Sequence, residues 1–422
     1  MPGHRRVRGA RARRLTATVT VVKVAIIGSG IGGCALALSL HAAGIDDVEL
    51  YEAAPELHEL GVGINVLPHA VRELTELGVA DAIDAIAIRT ARLSYHNRHG
   101  QVVWEEPRGM DAGYRWPQWS VHRGMLLGRM YDAVCERLGQ GAVHLDRTMT
   151  IADLDAIDAD VVVGCDGVNS AVRGLLAPDE GPPLWNGVTM WRGVTIMAPY
   201  LGGRRMVMAG ELARRVVIYP VHDFGDGTQL VNWVVVVRTD DGRPMPRQDW
   251  TAWADPAEAW AEVSHLSLGF VDVERMISSC ELVLKYPMVD RDPLTTWRAG
   301  RVTLLGDAAH PMYPNGSNGA SQAIIDARVL AQQLALQPDI GAALDAYEAQ
   351  RIAPTSAVVL SNRTAGPERI LDIAAERAPG GFAHVHDVIP EEEFAEIVHS
   401  YQQMAGFDPA ILNERASYSV RR

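Results

Sequence analysis

Residues 28–33 read Gly28-Ser29-Gly30-Ile31-Gly32-Gly33, a GxGxxG run set between an apolar stretch and a helix-forming one. Each glycine answers a different steric demand. Gly28 permits a tight turn, Gly30 lets the backbone approach a pyrophosphate, and Gly33 lets a helix pack closely on a strand. The free N–H groups and the dipole at the helix start favour a diphosphate. By itself the run is a weak signal, since glycines also serve ordinary turns. The context sharpens it: Glu52, with Ala53 beside it, ends the next apolar stretch 24 residues after Gly28. That is near the distance expected of an acid gripping a ribose hydroxyl pair, and a solvated strand-end acid is the alternative.

Two further runs carry possible chemistry. Gly164-Cys165-Asp166-Gly167-Val168-Asn169-Ser170-Ala171-Val172-Arg173 follows a short apolar stretch. Gly306-Asp307-Ala308-Ala309-His310-Pro311 follows another and continues through Pro314, Gly316, Asn318, Gly319 and Ala320 to Gln322. Asp307, just past a buried strand, can accept a hydroxyl from a sugar chain. Gly316 and Gly319 let N–H groups come close to a flat ring. A helix beginning near Gly319 points its positive end there and favours negative charge on that ring.

The elements that must hold these residues are legible in outline. Residues 20–27, 47–52, 158–164 and 301–305 are expected as buried strands, and 32–44 as the helix between the first two. Residues 68–78, 124–138, 250–264 and 320–336 are expected as helices. From about 186 to 290 the pattern turns β-rich, over 188–196, 216–221, 230–238 and 281–286. In the third of these Val231, Trp233, Val235 and Val237 share one face. The tail beyond 360 reads as helical, with a break at 379–381.

Composition bounds the partners. A chain of 422 residues suits two or three interlocked domains, and 48% hydrophobic content reads as soluble and globular. A formal net charge of -13 argues against nucleic acid, but leaves an acidic small molecule open because a pocket sets its own field. Cys34, Cys135, Cys165 and Cys280 have no CxxC spacing, which argues against a disulfide framework or a zinc site and fits a reducing cytoplasm. His384 and His386 near Asp387 read as a solvated pair, and no metal is expected. Six arginines in residues 1–14, then an apolar run, resemble a twin-arginine signal or a membrane anchor. Lys23 and the glycines at 28–33 would spoil a membrane helix. Residues 1–19 are therefore expected as a disordered basic leader, without stable membrane association.

GxGxxG, DGxxSxxR and GDAAH, in this order and at these distances, resemble the class A flavoprotein monooxygenases, the para-hydroxybenzoate hydroxylase family. GVGINV (61–66), EPRG (106–109), HRG (122–124), MWRGVT (190–195), VNWV (231–234), YPMVDRDPL (286–294) and NGASQAI (318–324) resemble its phenazine-modifying branch. The resemblance implies an α/β fold: a Rossmann-like FAD-binding domain (20–82, 116–177 and 295–365), an inserted β-sheet substrate domain (83–115 and 178–294) and a helical C-terminal region (366–422). It implies non-covalent FAD, with NADH or NADPH docking transiently and O2 as the oxidant. Reduced flavin would form a C4a-hydroperoxide that hydroxylates a small aromatic, and the phenazine likeness suggests a phenazine-like carboxylic acid with loss of CO2. The flavin carries the chemistry, so no catalytic side chain is required. The helix end at Gly319 would stabilise the reduced flavin anion.

By the same resemblance, Gly28 through Gly33, Glu52, Ala53, Val62, Gly63, Ile64, Arg123, Gly306, Asp307, Pro314, Gly316, Asn318, Gly319 and Ala320 contact FAD. Asp166 and Arg173 resemble a pair serving FAD and nicotinamide, with Arg173 as a structural partner of Asp166 the alternative. Trp191, Tyr219, Trp233, Tyr286, Met288 and Pro314 are candidate pocket residues, though each aromatic could equally be core. Arg192 is a candidate for a substrate carboxylate, or for a surface ion pair. His310 is expected to be structural. One departure stands out: only about ten residues separate Arg147 from the 157–164 region, where relatives fit a longer β-meander. A flavin reductase or oxidase of the same fold, or a non-catalytic binder, stays open, as does a homodimer.

Overall fold

A computed structural model describes residues 22–57, 61–239, 245, 252–364, 368–397 and 409–420. The basic leader at 1–19 lies outside the described residues. The chain opens with β1 (Val24–Ile27), α1 (Ile31–Ala43) and β2 (Val48–Tyr51), the two strands running parallel with Val24 opposite Val48. Next come β3 (Gly63–Val66), α2 (Pro68–Glu76), α3 (Ala80–Asp84), β4 (Ile88–Thr90), β5 (Arg92–His96), β6 (Val102–Pro107) and β7 (Gln118–His122). The chain returns to the first unit through α4 (Arg123–Leu138), β8 (Val143–His144), α5 (Ile151–Ala156), β9 (Val161–Gly164) and α6 (Ala171–Leu176). A largely antiparallel section follows: β10 (Leu184–Met197), β11 (Arg205–Gly210), β12 (Arg214–Asp223), β13 (Gln229–Arg238), β14 (Trp253–Ala254), α7 (Pro256–Val263), α8 (Val273–Ser278) and β15 (Val283–Asp290). The last elements are β16 (Arg298–Ala299), β17 (Val302–Leu304), α9 (Gly319–Leu336), α10 (Ile340–Asn362), α11 (Arg369–Arg377) and α12 (Pro409–Glu414).

Three sheets result. The first, in order β16-β17-β9-β1-β2-β8, is parallel except at the β16 edge. Its strands are apolar on both faces because helices cover both, and Val24, Ala25, Ile26, Val161, Val162 and Val163 are all buried. The second has eight strands, β14-β15-β10-β13-β12-β11-β5-β6, and β5 joins it by pairing parallel with β11. The third, β3-β7-β4, lies between them in sequence and touches β12 through β7.

Alternation along β13 divides the large sheet into two faces. Val231, Trp233, Val235 and Val237 pack with residues of α7 and α8 in one apolar cluster. Val234 and Val236 pack on the other side with Val62 and Tyr313, toward the first sheet. Between β8 and β9, where the trimmed meander was expected, stands α5, whose start is a capping box made by Thr150 and Asp153. The first strand starts at Val24, because Val22 and Lys23 carry no strand pairing. The tail docks through buried charge: Arg72 donates to the carbonyls of Leu412 and Arg415, and Arg415 pairs with Glu73. Among the described residues no helix is long and apolar enough to cross a membrane.

Candidate active site

The first turn is built for a group that approaches its backbone. Gly28 holds φ +103°, and a Cβ there would lie 2.5 Å from the Cys165 carbonyl oxygen. A Cβ on Gly33 would lie 2.0 Å from the Gly28 oxygen, whereas nothing stands within 4 Å of one on Gly30. The backbone at Gly30 is thus open where those at 28 and 33 are packed shut. Helix α1 has no side-chain cap and no acid in its first turn, so its leading N–H groups remain available. The Ser29 hydroxyl is buried with no partner among the described residues. Glu52 ties the turn to β2: its carboxylate accepts Ser29 N–H at 2.8 Å and Ala54 N–H at 3.0 Å. Open backbone, an uncapped helix and an orphaned hydroxyl fit the diphosphate of FAD.

The second half of the site sits after β17. The Asp307 side chain faces open space yet is ringed by protein, as expected of a group lining a cleft. Burial pushes its carboxyl above the ordinary aspartate pKa, with neighbouring His310 and Arg123 opposing. A Cβ on Gly319 would lie 3.7 Å from Asp307 Oδ1, so this acid stands at the start of α9. That helix has neither a side-chain cap nor an acid in its first turn. Pro314 is exposed beside the buried Tyr313, and Gly316 turns the loop at φ +72°. An acid for ribityl hydroxyls and a positive helix end for the ring fit the flavin half.

The loop is anchored from behind. His310 Nε2 lies 2.5 Å from Asp326 Oδ2, which also accepts Gly306 N–H at 3.1 Å, while Arg351 Nε donates to Asp326 Oδ1 at 2.6 Å. Burial alone would raise the Asp326 pKa, but His310 and Arg351 outweigh it and hold the carboxyl at about 2. His310 is accordingly structural. Asp166 and Arg173 are not partners. Asp166 accepts from the Ser170 hydroxyl, Ala171 N–H and Val172 N–H, which closes the turn into α6. Arg173 is 1% exposed and donates to both Glu180 oxygens and to the carbonyls of Ala308, Ala309 and Asp292.

The large sheet supplies the remaining wall. Val217, Val234, Leu284 and Tyr286 keep 8–9% exposure on the face turned to the first sheet, while Val231, Trp233, Val235 and Val237 on the other face keep none. The first set packs with Val62 and Tyr313 as one apolar surface. Tyr219, Tyr286 and Met288 belong to this face. Trp191 and Trp233 do not: alternation sends both to the helix-covered side, where Trp233 Nε1 donates to Thr195 at 3.2 Å. They are core, and their place in the pocket set is corrected.

Arg192 lies on the same face as Tyr219 and Tyr286, between the two tyrosines. Its guanidinium donates to Tyr286 Oη at 3.0 Å and to the Gly63 carbonyl at 2.9 Å, with no acidic partner among the described residues. Burial disfavours its charge, but the tyrosine hydroxyls outweigh that and raise its pKa. Gly63 is further held by Tyr219 Oη, which donates to its carbonyl at 2.9 Å, and by Asn232, which accepts its N–H at 2.6 Å. Here only glycine fits: a Cβ would meet Tyr219 and Val221 at 2.6 Å. Val62 packs into the same cluster, and Ile64 packs toward the first core. Arg123 is exposed at the start of α4. Sequence reading missed Asn232, Asp326 and Glu180. Asn232 had a signal, a polar residue inside an apolar strand.

The sequence pattern of the FAD binding domain family spans residues 21–361. The chain is 41% identical to phenazine 1,6-dicarboxylic acid hydroxylase PhzS of Lysobacter antibioticus, over 82% of this chain and 90% of that protein. It is 32% identical to 3-amino-4-hydroxybenzoate 2-monooxygenase PtnB3 of Streptomyces platensis, over 82% and 88%. HpxO of Klebsiella pneumoniae, solved with FAD and uric acid, shares the fold at TM-score 0.68 and 24% identity, covering 93% of this chain and 95% of that one. The chain belongs to the FAD binding domain family and is an FAD-dependent aromatic monooxygenase.

Proposed function

We propose that the substrate is a fused-ring aromatic carboxylate of the phenazine type. The observation that carries this reading is Arg192, a charged guanidinium with no acid beside it among the described residues, set between two tyrosines on an apolar wall. Such a group favours an anion that brings its own flat apolar surface. The phenazine dicarboxylate in the name of the 41% identical relative supports it.

Bound FAD supplies the hydride acceptor and the oxygen-activating centre. The protein's part is binding, orientation and exclusion of water. The turn at Gly28–Gly33 and the start of α1 hold the diphosphate, and Glu52 keeps that turn in shape. Asp307 holds ribityl hydroxyls, and the start of α9 stabilises negative charge on the ring system. Val217, Val234, Leu284, Tyr286 and Met288 keep water from the reacting edge, while Arg192 with Tyr219 and Tyr286 fixes the substrate's anionic end. NADH or NADPH supplies two electrons. One oxygen atom of O2 enters the ring and the other leaves as water. Where the attacked carbon bears a carboxylate, that group departs as CO2.

Arg192 gives the test. Arg192→Met should raise KM for phenazine-1-carboxylate about ten- to a hundredfold, the loss of one or two charge-assisted hydrogen bonds. KM for the matching carboxamide should move little. An equal rise for both would show that Arg192 acts only by holding Gly63.

A further inference from the structure

Four polar side chains from separate elements form a relay that ends in the loop before α9. Thr90 Oγ1 on β4 lies 2.6 Å from Ser120 Oγ on β7. Ser120 donates to Asn65 Oδ1 on β3 at 2.5 Å, and Asn65 Nδ2 donates to Ser317 Oγ at 3.4 Å. Thr90, Ser120 and Asn65 are all buried.

The direction of the relay is fixed by chemistry. Met206 Sδ stands 3.9 Å from Asn65 Nδ2, and a thioether can only accept. The amide nitrogen therefore faces Ser317 and the amide oxygen faces Ser120. Ser317 Oγ is an acceptor toward the relay, which leaves its own proton to donate elsewhere. Among the described residues that proton has no acceptor.

The backbone supplies a second, independent observation. Ser317 holds φ +57°, in the left-handed region that a residue with a Cβ rarely adopts, directly after Gly316 at φ +72°. Its N–H donates to the Pro314 carbonyl at 3.1 Å, closing the turn that leads into α9. Glycine would take this conformation without strain. A serine here, pinned through its oxygen, places a hydroxyl beside the uncapped end of α9, where the ring system of FAD fits.

We propose that Ser317 donates its hydroxyl proton to an acceptor atom on the isoalloxazine edge of FAD, and that Asn65, Ser120 and Thr90 are positioning residues that aim it. No property of the bound substrate enters this assignment, so it stands or falls apart from the reading of Arg192.

The test uses the full-length protein reconstituted with FAD. Ser317→Ala keeps the Cβ and removes the proton. It should weaken FAD binding several-fold, up to about tenfold, and lower the flavin midpoint potential, because a donor to the reduced ring is lost. Asn65→Asp keeps the shape but replaces the donor with an acceptor, so the Ser317 proton turns back toward it. It should shift the midpoint potential in the same direction, and the double variant should shift it no further than either single one. Ser317→Gly should match Ser317→Ala in potential while melting higher as apoprotein, since the left-handed strain is relieved. Wild-type FAD affinity and potential in Ser317→Ala would overturn the proposal. So would additive shifts from Asn65→Asp and Ser317→Ala, which would show two unconnected effects.

Discussion

Arg173 commits all five donors of its guanidinium inside the protein, to Glu180 and to three carbonyls, two of which belong to the loop carrying Asp307. It braces the flavin loop from behind and has no donor left for a nicotinamide phosphate. Arg173→Ala should therefore destabilise the fold by roughly 3–5 kcal/mol, the range for breaking a buried ion pair. The measurement is a thermal melt set beside stopped-flow reduction of the remaining bound flavin. A lower melting temperature with an unchanged reduction rate per flavin is expected. An unchanged melt with slowed reduction would return Arg173 to the nicotinamide site. Sequence could place Asp166 and Arg173 seven residues apart, but could not tell which neighbour each would find. Glu180 lies as far from Arg173 on one side as Asp166 does on the other, and the carbonyls of Ala308 and Ala309 arrive from a distant turn. Asp326 was hidden for a related reason: inside an apolar helix it reads as one polar position, and its partners His310 and Arg351 come from other elements. Arg192 was legible as a candidate beside an equal reading as a surface ion pair, and the structure gives it no acidic partner among the described residues.

At the scale of the element, the GxGxxG turn separates two kinds of glycine that look alike in sequence. Gly33→Ala drives a methyl into the Gly28 carbonyl, so strand and helix must part, and apoprotein stability should fall with FAD content. Gly30→Ala meets open space, so the apoprotein should melt within about 1 kcal/mol of wild type, the helix-propensity range, while FAD content drops. Differential scanning of stripped protein and the flavin-to-protein absorbance ratio distinguish them; equal losses in both assays for both variants would contradict the division. Alternation in β13 was readable and sorted the large sheet correctly. What could not be read was which face meets the cofactor domain, because both faces are apolar. Trp191 and Trp233 were assigned to the pocket for that reason, and α7 and α8 cover them instead. Strand β11 escaped notice because its RMVMAG run follows a polar turn, and α10 because Pro354 interrupts its helical pattern.

Over the whole molecule, order along the chain carried the architecture: a nucleotide-binding unit, an inserted β-rich section and a return. The pairing of β5 and β6 into the large sheet could not be seen locally, since β5 meets β11 across more than a hundred residues. The grip of Arg192, Tyr219 and Asn232 on Gly63 ties the large sheet to the start of β3 in the third sheet. The proposed site lies at that seam, where oxygen from O2 would be delivered to an aromatic ring. The most direct measurement is single-turnover oxidation of phenazine-1-carboxylate, and of an aromatic carboxylate panel, under oxygen-18 gas with NADH or NADPH, followed by mass spectrometry. Nicotinamide oxidation should be stimulated by the aromatic, and the product should carry one oxygen-18 atom in a new ring hydroxyl. Stimulated nicotinamide oxidation that yields only hydrogen peroxide across the panel, with every aromatic recovered unlabelled, would contradict oxygen delivery to the ring.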